Sequence, residues 1–151
     1  MLTLRPLQRN DIPILTQIDA VSNDPPWNED NFSRELNWTH SLSRIAIWEG
    51  VPIGFGITWK VCEEAQILEI AVLPDYRRKK VATHIVRELA MTAEKLGCKK
   101  MVLELRCDNR VALKFYENLG FNVVGKRKNF YAPKGSNQNI DALLMACALP
   151  L

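Results

Sequence analysis

At 151 residues, with 47% hydrophobic and 25% charged side chains, the chain has the size and make-up of one globular domain spanning residues 1–151 with a real core. A net charge of +3 excludes nucleic-acid binding driven by composition, so any basic function has to be local. Met1 to Asn10 holds no apolar run of signal-peptide length and no stretch reaches the roughly 18 apolar residues of a membrane span, so a cytoplasmic protein without membrane contact is expected.

The N-terminal "LTLRPL" alternates as a strand does, with Leu2, Leu4 and then Leu7 inward. "NDIPILTQIDA" reads as a helix: Asn10 or Asp11 stands where a cap belongs, Pro13 suits a first turn, and Ile14 and Ile18 lie one turn apart. "PPWNEDNF" opens a second helix, with Asn28 as N-cap, Glu29 and Asp30 in an acidic first turn, and Trp27 against Phe32 as a hydrophobic staple. From Ser41 the pattern turns to strands. "SRIAIWEG" and "VPIGFGITWKV" flank a turn at Gly50, and "QILEIAVLP" is a further strand ended by Pro74. A third helix is expected from about Lys79 to Leu96, with Val81, Ile85, Leu89, Thr92 and Leu96 as its apolar stripe and Gly97 as its stop. "KKMVLELRC" is a strand. "NRVALKFYENLG" is a short helix with Ala112, Phe115 or Tyr116, and Leu119 inward, and "FNVVGKR" and "DALLMACAL" are last strands around the polar loop "PKGSNQN". This order predicts one mixed α/β sheet with helices on both faces, and a right-handed parallel crossover between Gln66 and Cys107.

The third helix breaks a rule that the second obeys. Four cations, Arg77, Arg78, Lys79 and Lys80, crowd the start of a helix, where acids are preferred and cations cost roughly 0.3–1 kcal/mol each. A helix N-terminus also offers unpaired N–H groups to anions. The run is therefore either a solvated basic turn or a site for several phosphates. The four cysteines, Cys62, Cys98, Cys107 and Cys147, form no C-x-x-C pair and have only His40 and His84 as partners, so buried reduced thiols and no metal are expected.

The cationic stretch, "VLPDYRRKKVATHIVREL", resembles the acyl-CoA-binding motif of the GCN-five-related N-acetyltransferase (GNAT) superfamily, Arg/Gln-x-x-Gly-x-Gly/Ala, read here from Arg77 to Ala82. "VLELRCDNRVALKFYENLGFNVVGKRKNFY" resembles its second signature, through Glu104, Asn109, Ala112, Tyr116, Glu117, Gly120 and Phe121. "PPWNEDNF", "RKNFY" and "DALLMACALP" are similar to the branch that acetylates the N-terminal alanine of a small-subunit ribosomal protein. The resemblance implies the GNAT fold: a single, mostly antiparallel mixed sheet around a central parallel β-α-β crossover. It implies acetyl-CoA as co-substrate, bound by Ile70, Ala71 and Val72 on a strand, by Arg77, Arg78, Lys79, Lys80, Val81, Ala82 and Thr83 at the helix start, and by Asn109 and Tyr116. Lys80 departs from the motif, which has glycine there for close approach to the pyrophosphate; its side chain points away or reaches a phosphate itself.

Acetyl transfer to an amine needs a neutral amine, a stabilised oxyanion and a proton for the departing thiolate. An α-amine, with a reference pKa of about 7.7–8.0, asks less of a base than a lysine near 10.4. Glu104 and Glu69 sit in otherwise apolar strands, where burial turns a carboxylate into a base. Glu104 either pairs with Arg106 or another cation or, as the resemblance implies, takes the amine proton. Glu69 is the second choice as base, with substrate binding or an ion pair as its other roles. Tyr116 is either core or, with Phe115 filling the core beside it, the acid for the thiolate. Asn109 caps its helix or meets the pantetheine arm. Trp27, Phe130 and Tyr131 are candidates for a peptide groove, Trp27 equally for the staple. Cys107 has no neighbouring histidine and is excluded as a nucleophile. The expected partner is a protein N-terminus. A small-molecule amine acceptor is the alternative within enzymes; a basic RNA- or ribosome-binding module, or a non-catalytic acyl-CoA sensor, are alternatives of another class. The RNA reading leaves Glu104 and Tyr116 without a task.

Overall fold

The computed structural model describes residues 1–23, 25–38, 41–131 and 139–151; His40 and most of the expected polar loop lie outside the described residues. In chain order the elements are β1 (Leu2–Pro6), α1 (Ile12–Ala20), α2 (Glu29–Asn37), β2 (Arg44–Trp48), β3 (Val51–Val61), β4 (Glu64–Val72), α3 (Val81–Lys95), β5 (Lys100–Arg106), α4 (Arg110–Asn118), β6 (Asn122–Tyr131) and β7 (Ile140–Ala148). The strands form one sheet in the order β1-β2-β3-β4-β5-β7-β6. Every neighbouring pair is antiparallel except β4 and β5, which are parallel and joined through α3. This is the expected mixed sheet. α1 and α2 cover one face over Ile45, Phe55, Ile57 and Ala71, while α3 covers the other over Ala46, Ile53, Ala65 and Ile67.

The second helix starts as its sequence requires. Asn28 Oδ1 accepts from the Asn31 N–H and Asn31 Oδ1 from the Asn28 N–H, both at 2.9 Å, which satisfies two donors reciprocally. The Trp27 and Phe32 rings stand 5.3 Å apart, so the staple forms. α1 differs. Asp11 holds the cap position, but its carboxylate is spent on Arg5, at 2.8 Å to each oxygen, and on the Gln8 N–H.

α3 begins two residues later than its periodicity suggests. Pro74–Lys79 form a 3-10 turn, and Lys80 then takes a left-handed conformation, φ 60° and ψ 24°, before Val81 enters the helix. Three of the four cations therefore stand in the last turn of the 3-10 segment rather than in the first turn of α3. The helix buries Val81, Ile85, Val86, Leu89, Ala90 and Ala93. Leu96 falls past its end and is exposed, because Gly97 (φ 93°) turns the chain away. Beneath α3, β3 carries Gly56. A Cβ there would come within 2.6 Å of Ile85 Cγ2 and 2.8 Å of Leu89 Cδ1, so the helix lies as close to the strand as a missing side chain allows.

On α4 the inward ring is Tyr116, stacked edge-on to Phe115 (4.9 Å) and Phe121 (5.4 Å), with Phe115 only half-buried. Of the two rings the sequence offers for the core, Tyr116 is the buried one and Phe115 packs at its margin, while Tyr116 still lines the cleft described below. The cysteines are unpaired, but only Cys98 is buried; Cys62 is exposed in the β3–β4 turn. Among the described residues no helix is long and apolar enough to cross a membrane.

Candidate active site

The site begins with a defect in strand pairing. Opposite Ile57 and Thr58, β4 offers Glu69 and then Ile67, so Leu68 is an extra residue and β4 bulges. The parallel ladder runs from Glu64 with Lys100 to Ile67 with Leu103 and stops there. Beyond it, β4 continues to Val72 and β5 to Arg106 without pairing to each other. Strand edges left open in this way carry backbone donors and acceptors that want partners. A cleft of about 580 Å³ occupies the gap, a volume suited to a small-molecule ligand. Glu69 and Ile70 line it from β4, Glu104 and Arg106 from β5, Asn109 and Tyr116 from the α4 side, and Trp27 and Tyr131 from the outer walls.

Thus Glu69, Glu104, Tyr116, Asn109, Ile70, Trp27 and Tyr131, named from distant parts of the sequence, meet in one cleft. Phe130 does not: it is half-exposed, edge-on to Tyr131 at 5.1 Å and beneath the Arg127 guanidinium at 5.3 Å. Ala71 and Val72 turn their side chains into the core, which leaves their backbone alone to serve a ligand. Asn109 caps α4, its Oδ1 accepting from the Ala112 N–H at 3.1 Å, while still lining the cleft.

The two glutamates are in opposite situations. Glu104 meets Arg127 of β6 at 3.2 Å, so the cation that pairs with it comes from another strand; Arg106 binds Asp108 instead. Glu69 faces a second carboxyl. Burial first, then the charge of Asp19 and a hydrogen bond with it, push the Glu69 carboxyl up to about 9, so it carries a proton at neutral pH. Tyr116 is raised above the ordinary phenol range by burial and, secondarily, by the charge of Glu69. Tyr131 is raised by burial and then by Glu104.

Sequence reasoning missed Asp19, Asn23 and Arg127. Asp19 is fully buried; Oδ1 accepts from Asn23 Nδ2 at 2.6 Å and Oδ2 from the Trp27 N–H at 2.7 Å. The signal was available: Asp19 stands four residues after Leu15, on the buried stripe of Ile12, Leu15 and Ile18. An acid on that stripe needs a partner.

The four cations are divided. Arg77 Nε donates to the Val72 carbonyl at 3.0 Å, strapping the 3-10 turn to the end of β4. Lys79 lies over the Trp48 ring at 5.6 Å. The side chains of Arg78 and Lys80 make no hydrogen bond or ion pair among the described residues. No side chain caps α3, where the His84 N–H closes the first turn on the Lys80 carbonyl at 3.1 Å. The N–H groups of Val81, Ala82 and Thr83 precede that bond and stand beside the two unengaged cations. Among the described residues no group of three or more His, Cys, Asp or Glu is arranged to hold a metal.

Comparison with known proteins matches residues 12–121 to the model of the acetyltransferase (GNAT) family. The ribosomal protein bS18-alanine N-acetyltransferase of Escherichia coli strain K12 is 31% identical over 151 residues, covering the whole of both chains. The crystal structure of the ribosomal-protein-S18-alanine N-acetyltransferase from Escherichia coli superposes with a TM-score of 0.90, covering 100% of this chain and 96% of that one. Arabidopsis thaliana NAA60 in complex with acetyl-CoA shares the fold at a TM-score of 0.87 and 19% identity, over 99% of each chain. With a sheet split between its two parallel strands and a relative matched from end to end, the chain belongs to the GNAT acetyltransferase family, as an N-acetyltransferase.

Proposed function

We propose that the chain, working as one domain over residues 1–151, transfers the acetyl group of acetyl-CoA to the α-amine of a protein N-terminus in the cytoplasm. The acceptor is the N-terminal alanine of ribosomal protein bS18, the substrate named for its full-length relative. The observation that carries the reading is the cleft at the β4–β5 split, where an ion-paired glutamate, a buried phenol and open strand edges converge.

In this reading the edge of β4 at Ile70, Ala71 and Val72 seats the pantetheine arm, with Asn109 beside it. Arg78, Lys80 and the N–H groups of Val81, Ala82 and Thr83 hold the pyrophosphate. Arg77 and Lys79 join them only by leaving Val72 and Trp48. Trp27, Glu69 and Tyr131 form the acceptor side, with Phe130 backing Tyr131. The amine nitrogen attacks the thioester carbonyl; a C–N bond forms and the C–S bond breaks. Glu104 takes the proton the nitrogen loses, and Tyr116 gives its proton to the thiolate.

Mass spectrometry of a peptide panel incubated with acetyl-CoA tests this. A peptide with a free N-terminal alanine should gain one acetyl group at its α-amine, and the same peptide blocked there but carrying an internal lysine should gain none. Acetylation of polyamines in preference to either peptide would overturn the choice of acceptor.

A further inference from the structure

We propose that Asp19 is a positioning residue of the acceptor cleft: from the end of α1 it holds the Glu69 carboxyl as a hydrogen-bond donor and fixes Asn23 and Trp27 on the cleft wall. The inference rests on the acetyl-transfer reading of the same cleft and concerns a residue to which that reading gives no task.

The geometry carries it. Asp19 has no exposed surface, yet it touches three segments: Asn23 through its side-chain amide, Trp27 through its backbone N–H, and Glu69 on β4. Asn23 extends the contact by donating to the Ile70 carbonyl at 3.3 Å, on the strand that seats the cofactor in this reading. Two carboxyls in contact cannot both stay ionised at low cost, so the pair shares a proton. Both Asp19 oxygens already accept from N–H donors, so in the hydrogen bond between the two carboxyls Glu69 is the donor. The groups facing Glu69 are Asp19 on α1, Tyr116 on α4, Tyr131 on β6, and Glu104 and Arg106 on β5 across the gap.

Holding Glu69 neutral does two things for the chemistry. It leaves Glu104 as the carboxylate that receives the amine proton. It also removes the negative charge that raises Tyr116, which makes the phenol a better donor to the thiolate. When Glu69 ionises, both advantages go, and like charge pushes it from Asp19 and loosens the wall at Trp27. Activity should therefore fall on the alkaline side as Glu69 loses its proton. The direction in the variant follows: Asp19→Asn removes a charge that raises Glu69, so the alkaline fall moves to lower pH.

The test combines a spectroscopic and a kinetic titration. Infrared difference spectra of the wild-type protein should contain a protonated-carboxyl band at neutral pH that is absent in Glu69→Gln. Asp19→Asn should shift the loss of that band, and the alkaline limb of kcat/KM, to lower pH together. Glu69→Gln supplies a permanent N–H donor to Asp19, needs no change at α1, and should abolish that limb. No band in the wild type, an unmoved limb in folded Asp19→Asn, or a limb retained in Glu69→Gln each overturns the inference. If the band behaves as stated but no peptide is acetylated, the acceptor reading fails and the carboxyl pair stands.

Discussion

Replacing Lys80 by glycine should raise the stability of the protein and lower its affinity for acetyl-CoA. A left-handed residue with a Cβ costs about 1–2 kcal/mol against glycine, and Lys80 sits at φ 60° and ψ 24°. Glycine gives back roughly 0.5–1 kcal/mol through its freer unfolded chain, so a net gain of about 0.5–1 kcal/mol is expected. For a chain of this length that corresponds to about 1–4 °C in Tm. The Lys80 side chain has no partner among the described residues, so its removal forfeits no native contact. Its loss on the ligand side is one charge-assisted contact to phosphate, about 1 kcal/mol, which is about a fivefold rise in the KM for acetyl-CoA. Thermal unfolding of the free protein and saturation kinetics measure the two effects separately, and their opposite signs are the diagnostic. A lower Tm would mean that the strain is compensated by contacts of the lysine. A lower KM would mean that Lys80 obstructs the pyrophosphate and that the phosphate role is wrong.

Glu104→Gln should reduce turnover by about 10²–10⁴-fold, with a smaller loss at high pH where the amine deprotonates unaided, and Tyr116→Phe should reduce turnover without unfolding the protein. Wild-type turnover in both, with chemistry rate-limiting, refutes the mechanism. Arg77 and Arg78 should separate: Arg77→Ala loses the bond to the Val72 carbonyl and about 2–4 °C in Tm, whereas Arg78→Ala keeps Tm and raises the KM for acetyl-CoA. Equal effects of the two on KM with no difference in Tm would contradict the division of the cations. Asp11 is held below the usual carboxylate range, first by its hydrogen bond with Arg5, so its contribution is complete above that range and is lost as pH falls through its folded pKa. Asp11→Asn should flatten the acid side of a plot of denaturant midpoint against pH; an unchanged slope there refutes the assignment.

Local chemistry was legible where a few adjacent residues decide the outcome. The Asn28 cap, the Trp27–Phe32 staple and the stop at Gly97 follow from neighbours in sequence and form as expected. The start of α3 was misjudged because periodicity cannot distinguish a 3-10 turn from an α-helix over one turn, and Pro74 permits both. Phe115 and Tyr116 were both open as the inward ring because adjacent aromatics differ by about 100° around a helix, and only packing against residues such as Phe121 selects one. The convergence of Glu104 and Tyr116 was legible through resemblance. The pairing of Glu104 with Arg127 was not, because it depends on the lateral order that puts β7 and β6 beyond β5. Asp19 is marked in the sequence only by its place on the apolar stripe of α1, since its partner Glu69 becomes a neighbour only in the fold.

Gly56 sets a dimension of the fold. Ile85 and Leu89 rest on its bare Cα, so the height of α3 above the sheet is fixed by hard contact rather than by a polar link. The first turn of that helix, with Val81, Ala82 and Thr83, is at one end of the same rigid rod whose middle bears on Gly56. A single methyl group at residue 56 would act as a shim: Ile85, Leu89 and Ile70 would all have to shift to admit it. The spacing between α3 and β3 is thus gauged at a position outside the cleft lining.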